Sequence, residues 1–261
     1  MQGLIRPGRF IFAVGVAALG VLNFIYADAV SGLEPVPSWI PGGVLWAYLT
    51  GVVLIGAGAC ITANKGARLG ATSLGIMLLL WVLLLQAPNL VGHPYDGNAW
   101  TTTFETLALC GVACVLAGSL TIEQGIRRRP NGLAVSLAVV GRICFGVSML
   151  VFGALHFIYA LYVATLVPAW IPGRPFWPYL TGTAFIAAGL SIMTKVKARL
   201  AATLLGVMFG AWVIILHAPR VAAKLRDKEE WTSLLVATAM CGGAWLLVGS
   251  LASEDLKSDL A

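Results

Sequence analysis

Two histidines are the side chains of this sequence best suited to chemistry, because each lies in a stretch that is otherwise almost wholly apolar. They are His156 and His217. An imidazole can hydrogen-bond, titrate near neutral pH or ligate a metal, and ionisable groups within apolar spans usually mark function. Three interpretations stay open: hydrogen bonds to backbone or lipid headgroups, a head-group site for a quinone or another ligand, and a haem or metal site. Two histidines suffice as axial haem ligands, although their spacing does not require a metal.

Three other side chains accompany these histidines. Tyr159 follows His156 by three positions, so both are expected on one helix face. Arg220 follows His217 in the run L-H-A-P-R, and Trp170 lies in the turn V-P-A-W-I-P-G. The tryptophans either form an aromatic belt at the membrane interface or a stacking wall for a planar ligand. We therefore predict a ligand site that comprises His156, Tyr159, Trp170, His217 and Arg220.

The composition predicts that these residues lie in a membrane protein. The chain has 261 residues, of which 59% are hydrophobic and 11% charged, whereas soluble domains carry about 25% charged residues. The net charge of +6 comes from basic residues in short clusters between apolar runs. That distribution is typical of the loops of a membrane protein, so the expected partner is the lipid bilayer and not nucleic acid.

Eight apolar runs are long enough to cross the hydrocarbon core, which requires about 20 residues in a helix. The predicted spans are 9–28, 44–63, 68–88, 101–120, 137–162, 177–194, 199–217 and 232–251. The fifth is longer than a span requires, so we expect it to tilt or protrude. The predicted fold is all-α and integral to the membrane.

The chain is also a tandem duplication. An offset of 131 residues superimposes Trp39-Ile40-Pro41-Gly42 on Trp170-Ile171-Pro172-Gly173, and upstream of these turns the offset is 133. Four spans return the chain to its starting side, so the repeats are expected to be parallel and related by an axis along the membrane normal. We predict a first four-helix repeat at 1–122, a cytoplasmic linker at 123–136 and a second four-helix repeat at 137–261.

The basic residues predict the orientation. Most of them fall on the side of the two termini and of the linker, which contains Arg-Arg-Arg-Pro-Asn-Gly. By the positive-inside rule, both termini are cytoplasmic. We expect a multi-pass protein of a bacterial-type inner (plasma) membrane, with the W-I-P-G turns outside. The linker either anchors this topology or binds anionic lipid.

The two repeats differ at the positions of the two histidines. Asn23 stands at the position of His156, and Gln86 at the position of His217. Amides hydrogen-bond but do not titrate near neutrality. Any acid–base, redox or ligand chemistry is therefore expected in the second half. Four residues are assigned supporting roles: Asn23, Tyr26, Gln86 and Glu105, the last of which either reaches the interface or faces a polar pocket.

The second half resembles the DoxX-like membrane proteins over most of 137–251. The resemblance rests on the helix with His156-Phe157, the run V-P-A-W-I-P-G-R-P-F-W-P-Y-L-T-G, and the segments A-R-L-A-A-T-L-L-G, L-H-A-P-R and E-W-T-S-L. The usual member is a single four-helix unit, and the first half is similar as a diverged copy. The family includes small subunits of a thiosulfate:quinone oxidoreductase. The resemblance thus implies a redox-associated membrane subunit or a quinone-side partner.

Three functions compete at this stage. The first is a redox-associated protein that binds quinone or another hydrophobic ligand near the two histidines. The second is a scaffold or accessory subunit of a larger membrane complex. The third is a transporter built from parallel repeats, which ranks last because the spans read as continuous and the polar groups lie near one end.

Overall fold

The computed structural model describes residues 5–30, 32–37, 40–124 and 132–258, and all regular secondary structure in these ranges is helical. The central part of the predicted linker, with Arg127, Arg128 and Arg129, and the turn residue Trp39 lie outside the described residues. The α-helices are α1 (Ile5–Tyr26), α2 (Gly43–Ala63), α3 (Ala67–Trp81), α4 (Ala87–Gly92), α5 (Gly97–Gln124), α6 (Gly132–Ile158), α7 (Ala160–Leu166), α8 (Phe176–Thr194), α9 (Ala198–Trp212), α10 (Ala218–Ala223) and α11 (Lys228–Ser258).

Within these ranges, eight helical segments of 19 to 27 residues are long and apolar enough to cross a membrane. The predicted all-α membrane fold with eight spans is confirmed. The fifth span differs in its bounds from the expected 137–162: α6 begins at Gly132 and ends at Ile158. Tyr159 then leaves helical geometry, with φ −107° and ψ 31°. At 27 residues α6 is still the longest of the described spans, and residues 160–162 of the predicted span belong to a separate short helix, α7.

The third and seventh spans each contain one π-helical turn, at Val82–Gln86 and Val213–His217. The turns lie 131 positions apart, so both repeats have them. Each precedes an Ala-Pro pair. Pro88 and Pro219 have no N–H to donate to the carbonyl four residues back, and the widened turn lets the preceding alanine bond five residues back instead. The two spans still run as unbroken helices, over Ala67–Gly92 and Ala198–Ala223, so the π turns widen them without interrupting them.

The eight described spans form a closed circuit of contacts, and two of them, α5 and α11, also meet across its middle. Neighbours around the bundle follow the order α1, α2, α3, α5, α6, α8, α9, α11 and back to α1. Across their apolar windows, 72% of the residues of α5 and 83% of those of α11 are buried, whereas none of the other described spans exceeds 50%. The fourth span of each repeat is thus the core of the whole bundle.

The two repeats interleave in this circuit. The first helix of each repeat packs along the fourth helix of the other, α1 on α11 and α6 on α5. Paired glycines allow the close approach: a Cβ atom on Gly111 would lie 2.5 Å from the carbonyl oxygen of Gly141, and one on Gly8 would lie 2.6 Å from the amide nitrogen of Leu246. The repeats therefore build one eight-helix bundle and not two separate four-helix units.

Candidate functional site

The end of the bundle that carries the loops 27–42, 93–96, 159–175 and 224–227 is called the turn end here. In the first half, Gln86 lies just beneath it as the last residue of the π turn and is fully buried. Its amide nitrogen donates to the carbonyl oxygens of Gly32 at 2.9 Å and Leu33 at 3.0 Å. The Thr102 hydroxyl on α5 donates to its amide oxygen at 3.2 Å. The Gln86 side chain thus fastens the loop between α1 and α2 to the bundle.

A second chain of buried polar groups holds the same loop. The amide nitrogen of Asn23 donates to the Ala47 carbonyl at 3.0 Å and to the Thr50 hydroxyl at 3.1 Å. The Thr50 hydroxyl donates to a carboxyl oxygen of Glu34 at 2.9 Å. Burial raises the pKa of Glu34 to about 7, which the Thr50 hydrogen bond partly opposes. Asn23 therefore has its partners within its own half.

Glu34 was not singled out by the sequence analysis, although it is only 3% exposed. It lies in the run G-L-E-P-V-P, which is typical of a solvated loop. The available signal was the change of repeat offset in this loop: two more residues separate Ala27 from Trp39 than separate Ala160 from Trp170. The longer loop of the first half enters the bundle, where Val30 and Leu33 join the hydrophobic core. At the turn end of the first half, this loop packs into the bundle.

The corresponding loop of the second half remains outside. It forms α7, where Leu161 is 86% and Tyr162 65% exposed. A cavity of about 490 Å³ lies between this segment and the end of the seventh span. Its lining includes Trp170, Arg174, Ile215, Leu216, Arg220, Lys224 and Glu230. The second half is thus open at the end where the first half is filled.

Charged side chains define one wall of this cavity. The Arg220 guanidinium lies 2.8 Å from the carboxylate of Glu230, and the Lys224 ammonium lies 3.3 Å from it. Glu230 is 7% exposed, so this carboxylate is held in place by the two cations. The hydrogen bond and the charge of Glu230 raise the pKa of Lys224. Of these three residues, the sequence analysis had included only Arg220 in the predicted site.

The two histidines lie deeper than this wall. His217 ends its π turn next to Leu216, and its Nδ1 is buried without a hydrogen-bond partner. The His156 ring stacks on Trp212 with ring centroids 6.0 Å apart, and its Nδ1 lies 2.8 Å from the Phe152 carbonyl oxygen. Within the described residues, no hydrogen bond or ring contact joins the two histidines. Two rings of this cluster, Phe185 and Phe209, stand where the first half has Leu54 and Leu78, whereas Trp212 matches Trp81.

Tyr159 is separated from His156 because α6 ends between them. Its hydroxyl donates to the Tyr95 carbonyl at 3.0 Å, and its ring packs against Gly97. Both contacts are with the first half, so Tyr159 joins the repeats and does not line the cavity. Its counterpart Tyr26 packs against the hydrophobic core.

Glu105 faces a different, more polar cavity of about 340 Å³ between the central helices. Its lining pairs positions of α5 and α11 that are 131 residues apart, such as Thr101 with Thr232 and Glu105 with Val236. This cavity therefore lies between the two repeats. Of the two alternatives for Glu105, the structure places its carboxylate on a polar pocket, apart from the second-half cavity.

The predicted site is thus divided by the structure. Trp170 and Arg220 line one cavity, His217 lies beside it, His156 belongs to an aromatic cluster, and Tyr159 bonds to the other repeat. The supporting residues Asn23 and Gln86 hold a loop in the first half. Comparisons with family models, with curated proteins and with solved structures give no match to this chain.

Proposed function

We propose that this protein binds a lipid-soluble ligand with a polar head group at the turn end of its second half. One observation carries the proposal: the same end is filled by a folded loop in the first half and is an open cavity in the second. As the resemblance to DoxX-like proteins suggests, the ligand class to test first is quinone, and the role is that of a redox-associated membrane subunit.

The walls of the cavity support a ligand that arrives from the bilayer. Ile215 lines the cavity and is itself 38% exposed, and the adjacent Ile214 is 71% exposed. Both belong to the apolar surface of the seventh span, which hydrocarbon would cover. A tail could therefore lie along this surface while the head group occupies the cavity.

The polar groups support recognition of a head group. Arg220 and Lys224 present donors at the charged wall, and Trp170 also lines the cavity. The unpartnered Nδ1 of His217 lies one residue from the lining residue Leu216. The π turn that carries it is a geometry often found at functional sites.

Purification in a mild detergent, followed by solvent extraction and mass spectrometry, tests the proposal. The variants His217→Gln and Arg220→Asn install the residues of the first half. We expect both to lose the bound compound, whereas Arg226→Gln, an exposed charge outside the cavity, keeps it. The absence of any bound lipid-soluble compound, together with no binding of added quinone, would overturn the proposal.

The second candidate function is an accessory subunit of a larger membrane complex. The exposed apolar residues of α7 favour it, since Leu161 and Tyr162 cover no part of this chain. Crosslinking in native membranes from a cysteine at position 161, with one at the exposed position 69 on the opposite end as the control, tests it. A partner crosslinked only from position 161 supports this role, and no crosslinked partner counts against it.

We also propose that both termini are cytoplasmic in a bacterial-type inner membrane. The clustering of basic residues at the ends away from the W-I-P-G turns supports this orientation. In intact cells, an impermeant thiol reagent should label a single cysteine at position 95, at the turn end. It should not label a single cysteine at position 65, at the opposite end. Labelling at position 65 alone would reverse the assignment.

A further inference from the structure

We infer that the head group bound in the second-half cavity is an anion, a carboxylate or phosphate carried on a hydrocarbon tail, and that Arg174 provides the charge that selects it. This inference rests on the proposed function, and it narrows the ligand class away from neutral head groups such as quinones.

The first argument is the charge of the lining. Three basic residues, Arg174, Arg220 and Lys224, and one acidic residue, Glu230, line the cavity. With the 131-residue offset, their counterparts in the first half are Gly43, Asn89, His93 and Ala99. The first half thus has neither these cations nor the carboxylate. The positive cavity belongs to the half that is open.

The second argument is how these charges are paired. Glu230 interacts with both Arg220 and Lys224, and Lys224 also lies 3.5 Å from Asp227. No ion pair or hydrogen bond within the described residues engages the Arg174 guanidinium. The internal carboxylates are therefore committed to the other two cations. Arg174 is left to pair with a charge that the protein does not supply.

The third argument distinguishes the source of the anion. Leu166, Ile215 and Leu216 line the cavity beside the cations, and Ile215 continues onto the exposed apolar surface. A small free anion in the cavity would leave these aliphatic side chains exposed to water. An amphipath satisfies both parts of the lining, because its head compensates the charge and its tail covers the aliphatic residues. A planar guanidinium also matches the two oxygens of a carboxylate or phosphate.

Equilibrium binding to the full-length, delipidated protein tests the inference. The probes are oleate, dodecyl phosphate, oleyl alcohol as the neutral match for oleate, and acetate and inorganic phosphate as free anions. We expect at least one anionic amphipath to bind about ten-fold more tightly than oleyl alcohol, as a charge-assisted contact allows. Added salt should reduce this difference, and the two free anions should not compete.

Arg174→Gly, which installs the first-half residue, should reduce the preference for the anionic probe about ten-fold. Arg226→Gln, an exposed charge in the neighbouring loop, should not change it. Arg174→Gln serves as a second variant that keeps a side chain of similar length. Size-exclusion and thermal-unfolding profiles that match those of the wild type establish that each variant is folded.

Equal binding of oleate, dodecyl phosphate and oleyl alcohol to the wild type would overturn the inference and leave the proposed function intact. Competition by acetate or inorganic phosphate as effective as that by the amphipaths would overturn the lipid source. Failure of all lipid-soluble probes, including quinone, would instead reject the proposed function itself. Comparison of probes on the wild type decides these cases even if a variant does not fold.

Discussion

The side-chain amide of Gln86 donates a hydrogen bond to the carbonyl oxygen of Leu33 over 3.0 Å, deep in the turn end of the first half. The residue at the matching position is His217, whose Nδ1 has no partner. One amide thus ties a loop into the bundle, and the imidazole at the same position does not. This pair of positions, together with the longer loop of the first half, distinguishes the turn ends of the two halves.

Replacing Gln86 with leucine should destabilise the protein. The change removes the donor to two buried carbonyl groups, and each unpaired group costs about 1–3 kcal/mol. Thermal unfolding in detergent should show the loss, and hydrogen exchange should show reduced protection at residues 32–34. Thr183→Val is the control, because that exposed hydroxyl bonds only within its own helix. Equal stability of the two variants would contradict the role assigned to Gln86.

The stability of the first-half loop should depend on pH through Glu34. Burial raises the pKa of Glu34 from 4.5 to about 7, so the folded state favours the protonated acid. The stability that the protonated Glu34 contributes is therefore fully present below the pKa of the unfolded state, 4.5. It is lost as the pH rises through the folded-state pKa of about 7. The loss should reach about 3 kcal/mol at most. Glu34→Gln should flatten this dependence, because an amide oxygen still accepts from Thr50. The free energy of unfolding, measured between pH 4 and 9, tests this prediction. The same dependence of stability on pH in the variant as in the wild type would rule out Glu34 as the cause.

The glycine contacts between the repeats should not tolerate a methyl group. Gly111→Ala should destabilise by several kcal/mol, since its Cβ would lie 2.5 Å from a backbone oxygen and the helices must separate. Gly56 also lies within a span, but a Cβ there meets nothing within 4 Å. Gly56→Ala should therefore be neutral or stabilising by about 1 kcal/mol, as expected from helix propensity. Similar unfolding temperatures for both variants would be inconsistent with the packing described.

The two repeats should fold only together. Because α1 packs on α11 and α6 on α5, each half alone exposes the apolar faces of its first and fourth helices. Co-expression of 1–124 with 132–261 should give a complex that co-purifies and unfolds cooperatively. Either half expressed alone should aggregate or self-associate. A stable, monomeric half would show that the interleaved contacts are dispensable.

The sequence analysis predicted the helices correctly because apolar length and the repeat are strong local signals. It placed eight spans, and the structure has eight. It did not predict the π turns, although Pro88 and Pro219 were visible, because a proline near a span end is also compatible with a simple helix stop. The packing of the first helix of each repeat on the fourth helix of the other could not be derived from the sequence. A duplicated sequence has the same pattern whether its helices pack within a repeat or between repeats.

The site was predicted less completely, since its parts belong to loops. Trp170 and Arg220 were predicted and do line one cavity. Arg174, Lys224 and Glu230 were not part of the predicted site, because they come from three separate segments that only the folded chain brings to one cavity. Tyr159 was expected beside His156 on the assumption that the helix continues. Glu34 was missed, because an acidic residue among prolines is typical of a solvated loop and only the two extra residues of this loop marked it as different.

The interleaved packing has a consequence for what duplication permits. A single repeat with these contacts would find the partners of its first and fourth helices only on a second copy, as a two-fold dimer. Two identical copies must have identical ends, both closed or both open. Joining them in one chain releases each copy from that constraint. One copy can then specialise as the rigid support while the other is free to diverge around its open end.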